Sequence, residues 1–211
     1  MYPLKFFEKN LTGFTYWVFF VKLKFMILSD QDIRKNIKSK DIFIKPYNPR
    51  LIQPASIDLR LGDKFLVFNC HECAIIDVKE KNKNLMREIN INNNKSFIIH
   101  PNEFALGMTY ETVGVSDKMV GRLEGKSSLG RLGLIIHATA GYLDPGNCLN
   151  LTLELHNIGN LPIKLYYKMP IAQMSFTPLS SPCKIPYGDK RLNSKYYGAK
   201  VTQASKMYEN F

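Results

Sequence analysis

Leu149-Asn150-Leu151-Thr152-Leu153-Glu154-Leu155 alternates leucine with a polar residue along its whole length. A repeat of two is the mark of a β-strand with one buried face, so the four leucines point to a core and Thr152 and Glu154 point the other way. A carboxylate on that second face is a general base if the face lines a cleft, and a surface group if it meets water. Periodicity alone favours the surface, because Glu is ordinarily exposed.

The segments around it read the same way. Asp41 to Lys45, Ile57-Leu59-Leu61, Phe65 to Phe68, Ser96 to His100 and Phe104 to Thr109 are short β-prone runs, as are Leu134 to Ala138, Ile163 to Tyr167 and Ile171 to Phe176. Gly, Pro and Asn punctuate them, which predicts a mainly β barrel or two-sheet sandwich rather than a Rossmann-like alternation. Ser29-Asp30-Gln31-Asp32 reads as a capped start of a short helix ending near Lys40, with Ile33 and Ile37 on one face. Lys79 to Lys95 is a polar stretch expected to form an exposed loop or hairpin insert. From Pro186 the chain is polar, carries Tyr and Gly, and lacks an apolar period, so a loosely held tail is expected.

The chain has 211 residues, 45% hydrophobic and 22% charged, so a collagen-like, coiled-coil or wholly disordered chain is excluded and one domain is the natural reading. Four cysteines do not make a disulfide scaffold. A net charge of +11 favours anionic partners, though the lysines are scattered rather than gathered in one patch. No aromatic-and-basic motif supports nucleic-acid binding. Leu11 to Val21 is apolar and aromatic between Lys5, Lys9, Lys22 and Lys24. It is too short to span a bilayer and lacks a signal-peptide cleavage site. Residues 1–25 are therefore expected to be an extension outside the fold, with the domain at 26–211, no membrane partner and a cytoplasmic location.

Cys70-His71-Glu72-Cys73 has the spacing of half a zinc site, but no second ligand pair follows, so no zinc is expected. Gly121-Arg122-Leu123-Glu124-Gly125-Lys126-Ser127 falls one residue short of a P-loop, and Gly130 and Gly133 sit where the P-loop helix should run. An NTPase is rejected. Lys126, Ser127, Ser128 and Arg131 still suit a phosphate, and equally suit a solvated Gly-rich turn. His100, His137 and His156 stand isolated and read as structural.

Taken together, Met26-Ile27-Leu28-Ser29-Asp30, the run Gln53 to Gly62, the block Gly121 to Glu154 with GKSSLGRLGL, HATAGYLDPG and LTLEL, and Pro186-Tyr187-Gly188 with Ser194-Lys195-Tyr196 resemble the dCTP deaminase family of the dUTPase-like superfamily. The resemblance implies a distorted β-barrel or jelly-roll subunit with a few short helices, in a homotrimer whose active sites lie between subunits. It implies deamination of dCTP at cytosine C4 without zinc, and magnesium carried by the substrate triphosphate. Glu154 would be the catalytic carboxylate, in a buried, hydrogen-bonded setting.

By the same resemblance Lys126, Ser127, Ser128, Leu129, Gly130 and Arg131 form the phosphate- and water-positioning segment. Asp144 meets the deoxyribose, Thr152 and Leu153 lie beside the base, and Gln173, Tyr187 and Lys195 reach the triphosphate. The pair Gly141-Tyr142 is similar to that of members that carry dUTP on to dUMP, and dTTP is the implied feedback ligand. The alternatives are a deaminase that stops at dUTP and a non-catalytic deoxynucleotide-binding regulator. Asn147 and Leu149 replace an aromatic and a glycine usual after Asp-Pro-Gly, and Ala199 replaces a glutamine of the tail, which implies a lost phosphate contact. Pro170 before Ile171 is also unusual.

Overall fold

The computed structural model describes residues 10–11, 14–15, 26–72, 75–81, 84–91, 96–139 and 141–211. The expected extension 1–25 therefore lies almost wholly outside the described residues. Within it, β1 (Asn10–Leu11) pairs with β2 (Phe14–Thr15). Helix α1 (Asp30–Lys38) begins where the cap predicts, with Ser29 Oγ accepting from the Asp32 backbone N–H and Ile33 fully buried.

Strands β3 (Ile42–Lys45), β4 (Ile52–Gln53), β5 (Ser56–Arg60), β6 (Lys64–Phe68), β7 (Met86–Asn90), β8 (Ser96–Ile99) and β9 (Phe104–Val115) make up the first half of the fold. Then come β10 (Met119–Gly125), the one-turn helix α2 (Ser127–Gly130), β11 (Leu134–Ile135), β12 (Tyr142–Leu143), β13 (Cys148–Asn157), β14 (Ile163–Tyr166) and β15 (Pro170–Pro178). One sheet runs β12-β10-β15-β5-β4, and a second runs β11-β13-β9-β6-β7 with β3 also on β9. Strand β14 pairs with β8 apart from both.

The long strand β9 is the spine. One edge carries β13, and the other carries β6 near its start and β3 near its end. Between them an isolated bridge, Leu61 to Thr109, ties the two sheets. The sheets are not closed into the expected barrel. Their edge strands β4, β11 and β12 are two residues long, too short to carry a ladder around a closed wall. The core lies between the sheets. Phe65 stacks on Phe97 at 4.2 Å, and Leu59, Leu61, Leu153, Leu155, Ile171 and Phe176 are fully buried, each worth about 1.5–3 kcal/mol.

The leucine alternation survives with one break. Leu149, Leu151, Leu153 and Leu155 are buried, but so is Asn150, because β13 carries a bulge between Asn150 and Thr152. Asn150 Nδ2 donates to the Thr109 carbonyl at 3.0 Å, and Thr109 Oγ1 accepts from Leu151 N–H at 2.9 Å, so the bulged backbone is satisfied by side chains. Pro170 also sits at an irregularity, opening β15 where its missing N–H costs no ladder bond. The Lys79 to Lys95 insert does form a hairpin arm in part, since β7 pairs with β6.

Candidate active site

Glu154 lies on the non-leucine face of β13, opposite Leu106 of β9. Its Oε2 accepts from the backbone N–H of Ala138 at 2.7 Å and of Thr139 at 2.9 Å. Thr139 Oγ1 stands 3.3 Å from Oε1 and 3.4 Å from Oε2. Oε2 is thus saturated by two neutral donors, while Oε1 has one long hydroxyl contact and spare lone pairs. The expected hydrogen bonding is present; the expected burial is not, because Glu154 is half-exposed.

The donors come from a loop: Ala138 ends the run that the sequence reads as strand, and Thr139 follows it. Strand β11 stops at Ile135, and the backbone of residues 138 and 139 turns its N–H groups to the carboxylate instead of to a neighbouring strand. The same loop is fastened to the other sheet. The Leu123 N–H donates to the Gly141 carbonyl at 2.7 Å, and Tyr142 and Leu143 pair with Arg122 and Gly121. Gly141 is half-buried beside His137, and Tyr142 is exposed. His137 Nε2 is 3.9 Å from Glu124 Oε2.

The near-P-loop divides in two. Gly121 and Gly125 lie in β10, where a Cβ would meet Met174 Sδ at 2.8 Å and Ile136 Cγ1 at 2.9 Å. They permit close packing rather than phosphate approach. Ser127 and Ser128 open α2 and are exposed, as are Gly130 and Arg131, while Leu129 packs against the core. Lys126 does not point freely to solvent: Nζ donates to Asp58 Oδ1 at 2.8 Å and to Oδ2 at 2.9 Å. Gln173 lies across from Asp58 and from Glu124, and Ser56 Oγ donates to its Oε1 at 3.4 Å.

A third group gathers at the tail. Asp144 lies near Tyr187, whose backbone N–H donates to the Pro145 carbonyl at 2.8 Å. Burial pushes the Asp144 carboxyl above the ordinary carboxylate range, and burial, reinforced by Asp144, pushes the Tyr187 phenol up. Lys195 Nζ donates to Asn210 Oδ1. The tail is packed rather than loose. Asn147 Oδ1 accepts from Cys148 N–H at 2.9 Å and Gly198 N–H at 3.3 Å, and Asn150 N–H donates to the Ala199 carbonyl at 2.8 Å. The unusual Asn147 therefore holds the turn after Asp144 to the tail, and Leu149 joins the core. Ala199 is 7% exposed and also part of the core, so its side chain faces inward.

Three clusters result: Glu154 with its loop, Lys126 with Asp58 and Gln173, and Asp144 with Tyr187. No hydrogen bond or ion pair joins one to another among the described residues. Thr152 lies half-exposed on the Glu154 face, whereas Leu153 is fully buried, so only its backbone can face a ligand. A cavity of about 440 Å³ lies elsewhere, between Ile76, Val78, Lys81 and Leu85 on one side and residues 203–208 on the other. No three His, Cys, Asp or Glu groups converge as a metal cage among the described residues. Cys70 is exposed and Cys73 lies outside the described residues. No helix among them is long and apolar enough to cross a membrane. Sequence reading missed Asp58 as a partner of Lys126 and the N–H groups of Ala138 and Thr139 as holders of Glu154.

The fold is one already seen around a nucleotide deaminase. A solved structure, 2'-deoxycytidine 5'-triphosphate deaminase from Agrobacterium tumefaciens, superposes with a TM-score of 0.56 at 20% identity, covering 72% of this chain and 48% of that one. Residues 27–179 match the family model described as dCTP deaminase-like, and the chain belongs to that family. The dCTP deaminase, dUMP-forming, of Pseudarthrobacter chlorophenolicus is 45% identical over 186 residues, spanning 88% of this chain and 97% of its own. The protein of the same description from Corynebacterium jeikeium is 47% identical over 186 residues, spanning 88% and 99%.

Proposed function

We propose that this protein deaminates dCTP to dUTP and ammonia and then hydrolyses the dUTP to dUMP and diphosphate. The observation that carries the reading is the state of Glu154: Oε2 is held by two backbone N–H groups, and Oε1 is left to work. In the first step a water attacks C4 of cytosine while Oε1 takes its proton. The C4=N3 double bond opens and N3 takes that proton; the proton of the new C4 hydroxyl then passes by way of Oε1 to the amino group, the exocyclic C4–N bond breaks, and ammonia leaves a C4 carbonyl. General acid–base help of this kind contributes about 10²–10⁴-fold in rate. The second step adds water at the α-phosphorus and breaks the α–β anhydride. Magnesium carried by the substrate triphosphate, and not by a protein cage, would supply neutralisation of the charge on the diphosphate.

The remaining roles belong to the same proposal. Lys126, Ser127, Ser128, Leu129, Gly130 and Arg131 line the phosphate and water side. Asp144 meets the deoxyribose, and Thr152 with the Leu153 backbone flanks the base. Gln173, Tyr187 and Lys195 take the triphosphate, and Gly141-Tyr142 shapes the second activity. The clusters lie apart in one subunit and Glu154 is half-exposed, which supports a homotrimer in which a second copy completes each site. dTTP shares the sugar and triphosphate of the substrate and is the proposed feedback ligand. Residues 26–211 form the working unit, and the cytoplasm is the proposed compartment.

Incubation of the full chain with dCTP and magnesium, with products resolved by chromatography, tests the reading. Ammonia with dUMP and diphosphate is expected. Ammonia with accumulating dUTP would mark a deaminase only, and dCTP binding without ammonia a regulator.

A further inference from the structure

Lys126 is expected to meet the substrate's phosphates, yet both oxygens of Asp58 hold its ammonium, at 2.8 and 2.9 Å. We infer that Asp58 is the positioning residue of the triphosphate site: it takes two of the three Lys126 N–H donors and leaves the third aimed at a phosphate oxygen. The inference rests on the proposed phosphate role of Lys126.

The geometry argues for a built device rather than a surface ion pair. Asp58 is 7% exposed, sits in the middle of β5, and receives a further contact from Gln53 Nε2 at 3.4 Å. Across β15 its register partner is Gln173, whose own partner on β10 is Glu124, two residues before Lys126. Gln173 is in turn met by Ser56 Oγ. Two candidate phosphate contacts, Lys126 and Gln173, thus flank one buried carboxylate. A free lysine has a flexible stem whose rotamers must be frozen on binding. Asp58 freezes that stem in advance, which is preorganisation of the ligand site. It also leaves the pair with no net charge, so affinity here depends on the direction of one N–H rather than on a loose cation.

The test is a cycle of variants read by the inhibition constant of inorganic triphosphate against dCTP, which probes the phosphate site alone, together with KM and kcat. Lys126→Met and Asp58→Asn are each expected to weaken inorganic triphosphate and raise KM for dCTP by about tenfold, with kcat kept within about twofold. The double variant is expected to be no worse than Lys126→Met, because Asp58 acts through Lys126. Should Asp58→Asn lose its melting transition, the double variant, which buries no unpaired ammonium, is compared with Lys126→Met directly. A further loss in the double variant overturns the inference. So does an unchanged inhibition constant for Asp58→Asn beside a weakened one for Lys126→Met, which leaves the phosphate role of Lys126 standing. If neither single variant weakens inorganic triphosphate, that role falls and the inference falls with it.

Discussion

Two glutamates on adjacent strands show how one side chain comes to different ends. Glu111 of β9 is 1% exposed; its Oε1 accepts from Arg60 Nε at 2.6 Å and its Oε2 from the Arg60 N–H at 2.8 Å. Glu154 of β13 is half-exposed and meets only neutral donors, two on one oxygen and a hydroxyl near the other. A carboxylate locked to a guanidinium in the interior loses its partner's compensation if it takes a proton, so it serves structure. A carboxylate fixed by backbone N–H groups has a set direction and a free lone pair, so it can trade protons. Partner charge and the count of unused lone pairs, more than depth, separate a carboxylate fit to act as a base from a structural staple.

That contrast can be broken at several points. The largest effect is expected for Glu111→Ala, which strands Arg60, 20% exposed, against the core. Loss of about 3–5 kcal/mol in chemical denaturation is predicted, with kcat per folded molecule unchanged. A large fall in kcat at unchanged stability would place Glu111 in the chemistry and dissolve the distinction.

Ala199→Gln is next. Resemblance implies that a glutamine there would tighten triphosphate binding, but Ala199 is packed in the core and its carbonyl is bound by Asn150. Overpacking is expected to cost about 1–3 kcal/mol in a denaturation midpoint, with no fall in KM. A lower KM at full stability would show the side chain facing the ligand.

Asp144→Asn has the smallest effect on stability. Burial raises the Asp144 carboxyl, so the folded chain holds more protons than the unfolded one between the ordinary and the raised value. Stability therefore falls as pH rises through that window, and the charge is a cost at neutral pH. The variant is expected to melt slightly higher than the parent at neutral pH, with the two converging below the ordinary carboxylate range, while KM for dCTP rises. A lower melting point at neutral pH would contradict the burial argument.

Much of this contrast could be read from residue order, and some could not. Ser29 announces α1 because a cap is a local bond, and the leucines of β13 announce a buried face because period two is local as well. Asn150 interrupted the pattern unseen, since a bulge is decided by how β9 lies beside β13. Gly121 and Gly125 look like a phosphate loop in sequence because glycine serves close packing and phosphate approach alike. Asp58 and Lys126 are 68 residues apart in sequence, with five strands between them, so their ion pair exists only after the sheet forms. The donors to Glu154 were hidden for another reason: every residue has an N–H, and only the turn after Ile135 aims those of Ala138 and Thr139.

The most direct test of the central claim is the rate of ammonia release by Glu154→Gln at saturating dCTP and magnesium, measured beside its dCTP affinity. The amide can still accept from Ala138 and Thr139, so binding should persist while ammonia release falls by at least about 100-fold. Release at the parent rate, with binding intact, would show that Glu154 is not the base.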